Sequence, residues 1–140
     1  MIAFLDSSVI VAAVAEIEPH HEACAALLLG TDSLRIRSHA LAESFSTLTG
    51  GRLGLRLTAV EAVQLLSVNI LPRVKVVDLS AVSVMRCLAG AESRGVRGGA
   101  VHDFLHLAAA RKARARKLYT LNIRHFLAFH RPGDPEIACP

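Results

Sequence analysis

Two histidines and an aspartate fall within one short segment, His102-Asp103-Phe104-Leu105-His106. Histidines at i and i+4 share a helix face and have a spacing that binds Zn²⁺. The metalloprotease pattern, however, needs Glu directly after the first His, where this chain has Asp103, and no third ligand stands out. Asp103 is the more informative residue. It lies in the first turn of a helix whose other positions are Phe104, Leu105, Leu107 and Ala108 to Ala110. Such a helix is buried nearly all round, and a carboxylate on it needs a partner. A first-turn acid favoured by the helix dipole is the plainer account. Asp6 closes the apolar run Ile2–Leu5 and reads either as a helix N-cap or as an acid beyond the carboxyl end of a strand, where open parallel sheets bind ligands. Asn122 stands in the same relation to Leu118–Leu121. Glu43 sits about 200° around its helix from Leu41, off the Leu41/Phe45/Leu48 stripe. A solvated Glu would do so, and the small neighbours Ala40 and Thr47 would equally suit the wall of a cleft.

The cations are concentrated. Arg111, Lys112, Arg114, Arg116 and Lys117 put five in seven residues, either as the favoured C-terminus of a helix or as a patch that tracks phosphates. Arg35 and Arg37, on one face of a strand, are candidates to extend such a patch. No aromatic residue interleaves with them, so stacking on the bases of a single strand has little support. His20, His21 and Cys24 read as a polar helix start, and Asp78 as a cap for the helix that begins near Ser80. Neither GxGxxG nor GxxxxGK[ST] occurs; Gly98-Gly99 instead permits a tight turn that brings Asp103 toward the other acids.

The elements that must position these residues alternate regularly. Ile2–Leu5 is a buried strand feeding a helix over Ser7–Ala15, and a second helix runs from near Pro19 to Gly30. A strand over Leu34–Arg37 follows, then a helix from His39 to about Leu53. Thr58, an N-cap with Glu61 three residues on, opens a helix to about Ile70. Val74–Val77 reads as a third buried strand, Ser80–Arg94 as a helix closed by Gly95, and Val101–Ala113 as another before a fourth strand at Leu118–Leu121. The tail from Pro132 is irregular, with room for one edge strand around Ile137. Strands alternating with helices in this order predict an α/β layer fold with a mainly parallel sheet of four to five strands.

Composition agrees. The chain has 140 residues, 52% of them apolar, enough for one domain over residues 1–140 with a sizeable core. Five Phe, one Tyr and no Trp leave that core to Ala, Leu and Val. Sixteen Lys and Arg, thirteen of them Arg, face twelve Asp and Glu, a modest excess that suits a polyanion partner. Three widely spaced cysteines without a CxxC pair argue against a disulfide framework and point to a reducing, cytoplasmic setting. Met1–Leu5 carries no Lys or Arg and Asp6 interrupts the apolar stretch, so the amino end is not expected to be a secretory signal. The nine uncharged residues that follow fall short of the about 20 that span a bilayer.

Four segments taken together are more specific than any one. Leu5-Asp6-Ser7-Ser8-Val9-Ile10, Ala42-Glu43, His102-Asp103-Phe104-Leu105-His106-Leu107-Ala108 and Tyr119-Thr120-Leu121-Asn122-Ile123-Arg124-His125-Phe126 fall in an order and spacing that resembles the PIN-domain nucleases. Within them the pattern is similar to the VapC-type toxins of bacterial toxin–antitoxin pairs, over nearly the whole chain. The resemblance implies a three-layer α/β/α sandwich whose acids gather at one end of the sheet, bind Mg²⁺ or Mn²⁺ and cut RNA, leaving 5′-phosphate and 3′-hydroxyl ends. By position it makes Asp6, Glu43 and Asp103 the catalytic, metal-binding acids, with Ser8 and Thr120 as accessory hydroxyls. Asn122 falls where many relatives carry a fourth Asp. It keeps a carbonyl oxygen but loses a charge, which weakens a second cation site. The resemblance also implies a homodimer and a VapB-type antitoxin inserted over the acidic pocket, with Arg offered to the carboxylates.

The chemistry of such a convergence is plain. Neighbouring carboxylates repel and take up protons unless a cation neutralises them, and oxygen-only ligands favour hard Mg²⁺ or Mn²⁺ over Zn²⁺. The expected activity is metal-dependent hydrolysis of RNA phosphodiesters. The alternative is a PIN-like module that binds RNA or a partner, with cleavage weakened or lost through Asn122. Arg111, Lys112, Arg114 and Arg116 are the candidate RNA-binding residues.

Overall fold

The computed structural model describes residues 1–140. Strand β1 (Ile2–Leu5) is the centre of a five-stranded sheet with β2 (Ser33–Ile36), β3 (Val74–Val76), β4 (Lys117–Tyr119) and β5 (Glu136–Ala138). The order is β3-β2-β1-β4-β5, and every pairing is parallel. A strand covered on both faces reads as a continuous apolar run, which is why Ile2-Ala3-Phe4-Leu5 shows no polar alternation. Successive side chains still go to opposite layers. Ala3 and Leu5 join one apolar core with Val9, Ile10, Leu34, Ile36 and Leu48, while Phe4 joins a second with Phe104, Leu107, Leu118, Phe126 and Phe129.

The first core lies under α1 (Ser7–Val14), α2 (His21–Leu29), α3 (Ser38–Gly50) and α4 (Ala59–Leu65), which runs on through a π turn over Leu66–Ile70. The second lies under α5 (Ala81–Ala89), α6 (Val101–Lys112) and α7 (Ile123–Leu127). The aromatic residues are therefore not spread evenly. Four of the five Phe fill the second layer, where Phe104 and Phe129 meet edge to face at 5.5 Å, and the first layer is built from aliphatic residues.

Several local expectations change. β3 is an edge strand and not a buried one, with Val76 46% exposed, because nothing pairs beyond it. The fully buried face of α3 is Ala40, Ser44 and Leu48, with Leu41 and Phe45 only partly covered, so Glu43 lies beside the buried face. Asp78 does not cap α5. Its Oδ1 accepts from the Ser38 amide at 2.8 Å and so caps α3 from the end of the adjacent strand, while Ser80 caps α5 through the Ser83 amide. The Thr58/Glu61 capping box forms as its spacing predicts. The tail is held: Asp134, 3% exposed at its side chain, accepts from Arg94 at 3.1 Å and Arg111 at 3.0 Å, which fixes β5 against β4.

Candidate active site

From β1 the chain steps to β2 and β3 on one side and to β4 and β5 on the other. Two adjacent parallel strands whose connections leave in opposite directions open a crevice at their carboxyl ends, and here that crevice lies between β1 and β4. Asp6 follows β1 directly and Thr120 follows β4, with the Asp6 amide donating to the Tyr119 carbonyl at 3.2 Å.

Asp6 is 2% exposed and both carboxylate oxygens are engaged. Oδ1 accepts from Ser8 Oγ at 2.5 Å and, as the N-cap of α1, from the Val9 amide at 3.3 Å; Oδ2 accepts from Thr120 Oγ1 at 2.7 Å. Both hydroxyls also accept, Ser8 Oγ from the Leu121 amide at 2.9 Å and Thr120 Oγ1 from the Asn122 amide at 2.9 Å. The same two side chains thus orient the acid and fix the turn that leaves β4. Asp6 forms no salt bridge. Burial pushes its carboxyl above the usual carboxylate range, against the opposing pull of the Ser8 and Thr120 hydrogen bonds, the His106 charge and the Val9 amide.

Glu43 and Asp103 reach the same region from α3 and α6. His106, fully buried, meets Glu43 Oε1 through Nε2 at 2.5 Å, and its Nδ1 has no partner. Burial alone would raise Glu43, but the His106 hydrogen bond and charge, with His39 and His102, outweigh it and hold the carboxyl below its ordinary value. Asp103 is raised by burial, with His106 and His125 opposing; its Oδ2 lies 3.5 Å from His125 Nδ1. One imidazole, His106, therefore acts electrostatically on all three acids.

His106 does not pair with His102 as a zinc couple. His102 turns outward and stacks on His39, ring centroids 4.8 Å apart at 17°. No three His, Cys, Asp or Glu side chains converge at ligating distance as they are placed. The donor set nonetheless fits a hard cation. Asp6 is a buried carboxylate with no cationic partner and Asp103 is a desolvated one, a combination that is costly until positive charge is supplied.

Asn122 is exposed and makes no capping bond to α7; with Ser8, Thr47 and Arg52 it lines a cavity of about 400 Å³. The basic cluster lies elsewhere. From Asp103 to Lys112, α6 rises about 13 Å, and the Arg116 amide donates to the Ile2 carbonyl at the start of β1, so Arg114 and Arg116 stand at the amino end of the sheet, away from the acids. Arg111 is occupied by Asp134, and Lys112 Nζ donates to the Asp78 carbonyl at 2.6 Å. Arg35 hydrogen-bonds Ser33 Oγ, whereas Arg37, just before α3, keeps one guanidinium nitrogen buried and unpartnered near Glu43 and Asp78.

His39 and Arg52 are site residues that the sequence did not single out. A signal for His39 exists in the repeated i, i+4 spacing. His39 and Glu43 on α3 face His102 and His106 on α6, ring against ring and carboxylate against ring. Arg52 carries no such mark.

The family model for the PIN domain matches residues 3–131. No curated protein matches by sequence. Among solved structures, the chain is similar to VapBC2 from Rickettsia felis, described as bound to a DNA fragment from its promoter, with a TM-score of 0.70 and 22% identity over 100% of this chain and 99% of that one. It is also similar to Mycobacterium tuberculosis VapC20, described as a sarcin–ricin loop cleaving toxin, with a TM-score of 0.73 and 18% identity over 95% and 99% of the two chains. VapBC-1 from nontypeable Haemophilus influenzae gives a TM-score of 0.66 and 18% identity over 99% and 98%. At these identities the solved structures speak to the fold.

Proposed function

The chain belongs to the PIN-domain family, and on that premise we propose that it is a metal-dependent endoribonuclease, the toxin of a VapBC-type toxin–antitoxin pair. The observation that carries this reading is the buried His106, which bonds Glu43 of α3 and acts electrostatically on Asp6 after β1 and on Asp103 of α6, three acids on elements distant in sequence. Asp6, Glu43 and Asp103 would hold Mg²⁺ or Mn²⁺, which when bound supplies the charge that polarises a phosphoryl oxygen and acidifies a water.

The chain's own residues do the positioning. Ser8 and Thr120 donate to Asp6, favour its ionised form and fix its direction. His106 holds the Glu43 carboxylate and keeps it ionised, so that Glu43 is either a ligand or the group that orients the attacking water. His125 approaches Asp103 from the solvent side, 67% exposed, and is displaced easily.

The partner proposals are an RNA substrate, a VapB-type antitoxin and a second copy of the chain. Val82, Met85 and Leu88 on α5, exposed by 68%, 64% and 38%, supply an apolar face that supports an assembly. All three cysteines are unpaired, which suits a reducing cytoplasm, and no helix is long and apolar enough to cross a membrane.

Purified protein freed of any bound antitoxin, incubated with structured RNAs, should cleave with Mg²⁺ or Mn²⁺ and stop with chelator or with Asp103→Asn. Cleavage that persists in both controls would sink the metal mechanism. Exposed, uncapping Asn122 supports the second reading, a binding module with lost cleavage. RNA binding without cleavage at any metal concentration would favour it.

A further inference from the structure

α3 presents His39, Ala42, Glu43, Ser46 and Thr47 on one face, and that face walls a cavity of about 440 Å³ closed by His102 and Arg52. The volume falls within the about 300 to 1,000 Å³ typical of ligand pockets. One side is the stacked His39–His102 pair, whose near-parallel rings lie face to face, with His39 backing the exposed ring of His102 beside Glu43. The Thr47 hydroxyl donates to the Glu43 carbonyl at 3.2 Å and so keeps its lone pairs for an incoming donor, with the exposed Ser46 hydroxyl one position away. Arg52 is exposed and in no salt bridge, and it lines both this cavity and the neighbouring one that holds Ser8 and Asn122. Ser7 and Thr47 are shared in the same way, so the two cavities are contiguous, with a single free cation at their junction.

A plate of aromatic rings, hydroxyls at the wall and a cation at the boundary of two cavities match the parts of a nucleotide in order. A base has a π-face and polar edges, and a phosphate joins it to the next sugar. We propose that the His39–His102 cavity is a nucleobase subsite: an unpaired RNA base extends the imidazole stack on the exposed ring of His102, which His39 backs, and Arg52 holds the phosphate linking it to the nucleotide in the neighbouring cavity. The proposal rests on the ribonuclease reading for the identity of the ligand as RNA. It places the recognised base immediately beside Glu43, so that selection of a base and placement of the adjacent phosphodiester come from one side of α3.

The test is an abasic scan by binding. Fluorescein-labelled single-stranded RNA octamers of differing sequence are titrated against the Asp103→Asn protein in Mg²⁺, and each position of the best binder is replaced in turn by an abasic nucleotide. One position is expected to weaken binding about 5- to 100-fold, the range for loss of one stacked base. Adding His39→Ala and His102→Ala should weaken the intact octamer by a similar factor and make that position insensitive. His39→Phe with His102→Phe should restore the sensitivity. Arg52→Ala should flatten the salt dependence by about one phosphate contact. A flat scan, a position-specific loss that survives the double alanine change, or no binding of any octamer overturns the subsite. Cleavage by the wild-type protein is read separately. A cleaving enzyme with a flat scan loses the subsite and keeps the nuclease, whereas a His-dependent abasic position without cleavage does the reverse.

Discussion

Thr120→Val removes one hydroxyl from the fully buried end of β4 and replaces it with a methyl of similar volume, so the core is kept and only hydrogen bonds are lost. Two go at once: the donation to Asp6 Oδ2 and the acceptance from the Asn122 amide. A hydrogen bond to an ionised group contributes about 1.5 to 3 kcal/mol, and an orphaned amide costs about 1 kcal/mol, together about 2.5 to 4 kcal/mol. For 140 residues the unfolding entropy near the midpoint is about 0.3 kcal/mol/K, so Tm should fall by about 8 to 13 °C. The pH dependence gives the sharper check. Asp6 titrates above its unfolded value of 3.8, so the fold loses stability as pH rises from there through the raised folded value. The Thr120 bond favours the ionised form; without it the folded value rises further and that loss grows. The gap between the two proteins should be widest at pH above both folded-state titrations and shrink below pH about 3.5, where both carry a neutral Asp6 and about 2 kcal/mol separates them, about 1 for an ordinary hydrogen bond and about 1 for the orphaned amide. Urea unfolding in chelator at the two pH values measures it. A gap under about 0.5 kcal/mol at the higher pH, or one equal at both, would refute the role assigned to Thr120.

Asp134→Ala leaves Arg94 and Arg111 facing an empty, nearly buried position and should cost about 3 kcal/mol; urea unfolding checks the size, and loss of amide protection in β5 by hydrogen exchange checks the location. Asn122→Asp adds a carboxylate beside Ser8 where no cap is lost, so half-maximal activation should need less Mg²⁺ or Mn²⁺; an unchanged metal titration would make the position dispensable. Reversing Arg114 and Arg116 to Glu should leave the salt slope for a short RNA unaltered, since both lie past the far end of α6. A slope reduced by about one per residue would place the RNA track there instead.

The features legible in the sequence are local. The apolar run into Asp6, the Thr58/Glu61 box and the lone acid on the buried α6 each carry their cause within a few residues. Glu43 could not be placed the same way, because its ionisation and orientation come from His106, 63 positions away, and nothing in the Leu41/Phe45/Leu48 stripe reports that partner. Val74–Val77 reads as a core strand because three of its four residues are Val, but exposure depends on rank within the sheet. The cations show the same limit: density is visible in the sequence, and which end of a helix faces the acids is not. Asp78 capping α3 is a contact across 40 residues that favours no local pattern.

The bond between Asp6 and Thr120 spans 114 residues and joins nearly the first element to nearly the last. During synthesis β1 can pair with β2 early but lacks β4, its other neighbour, until residue 119 has been made, so the crevice has only one wall until then. No nascent fragment ending before residue 120 can orient Asp6 from both oxygens. For a protein read as an RNA-cutting toxin, this topology defers the oriented acid until β4 and Thr120 have been made, beside the very RNA that is making it.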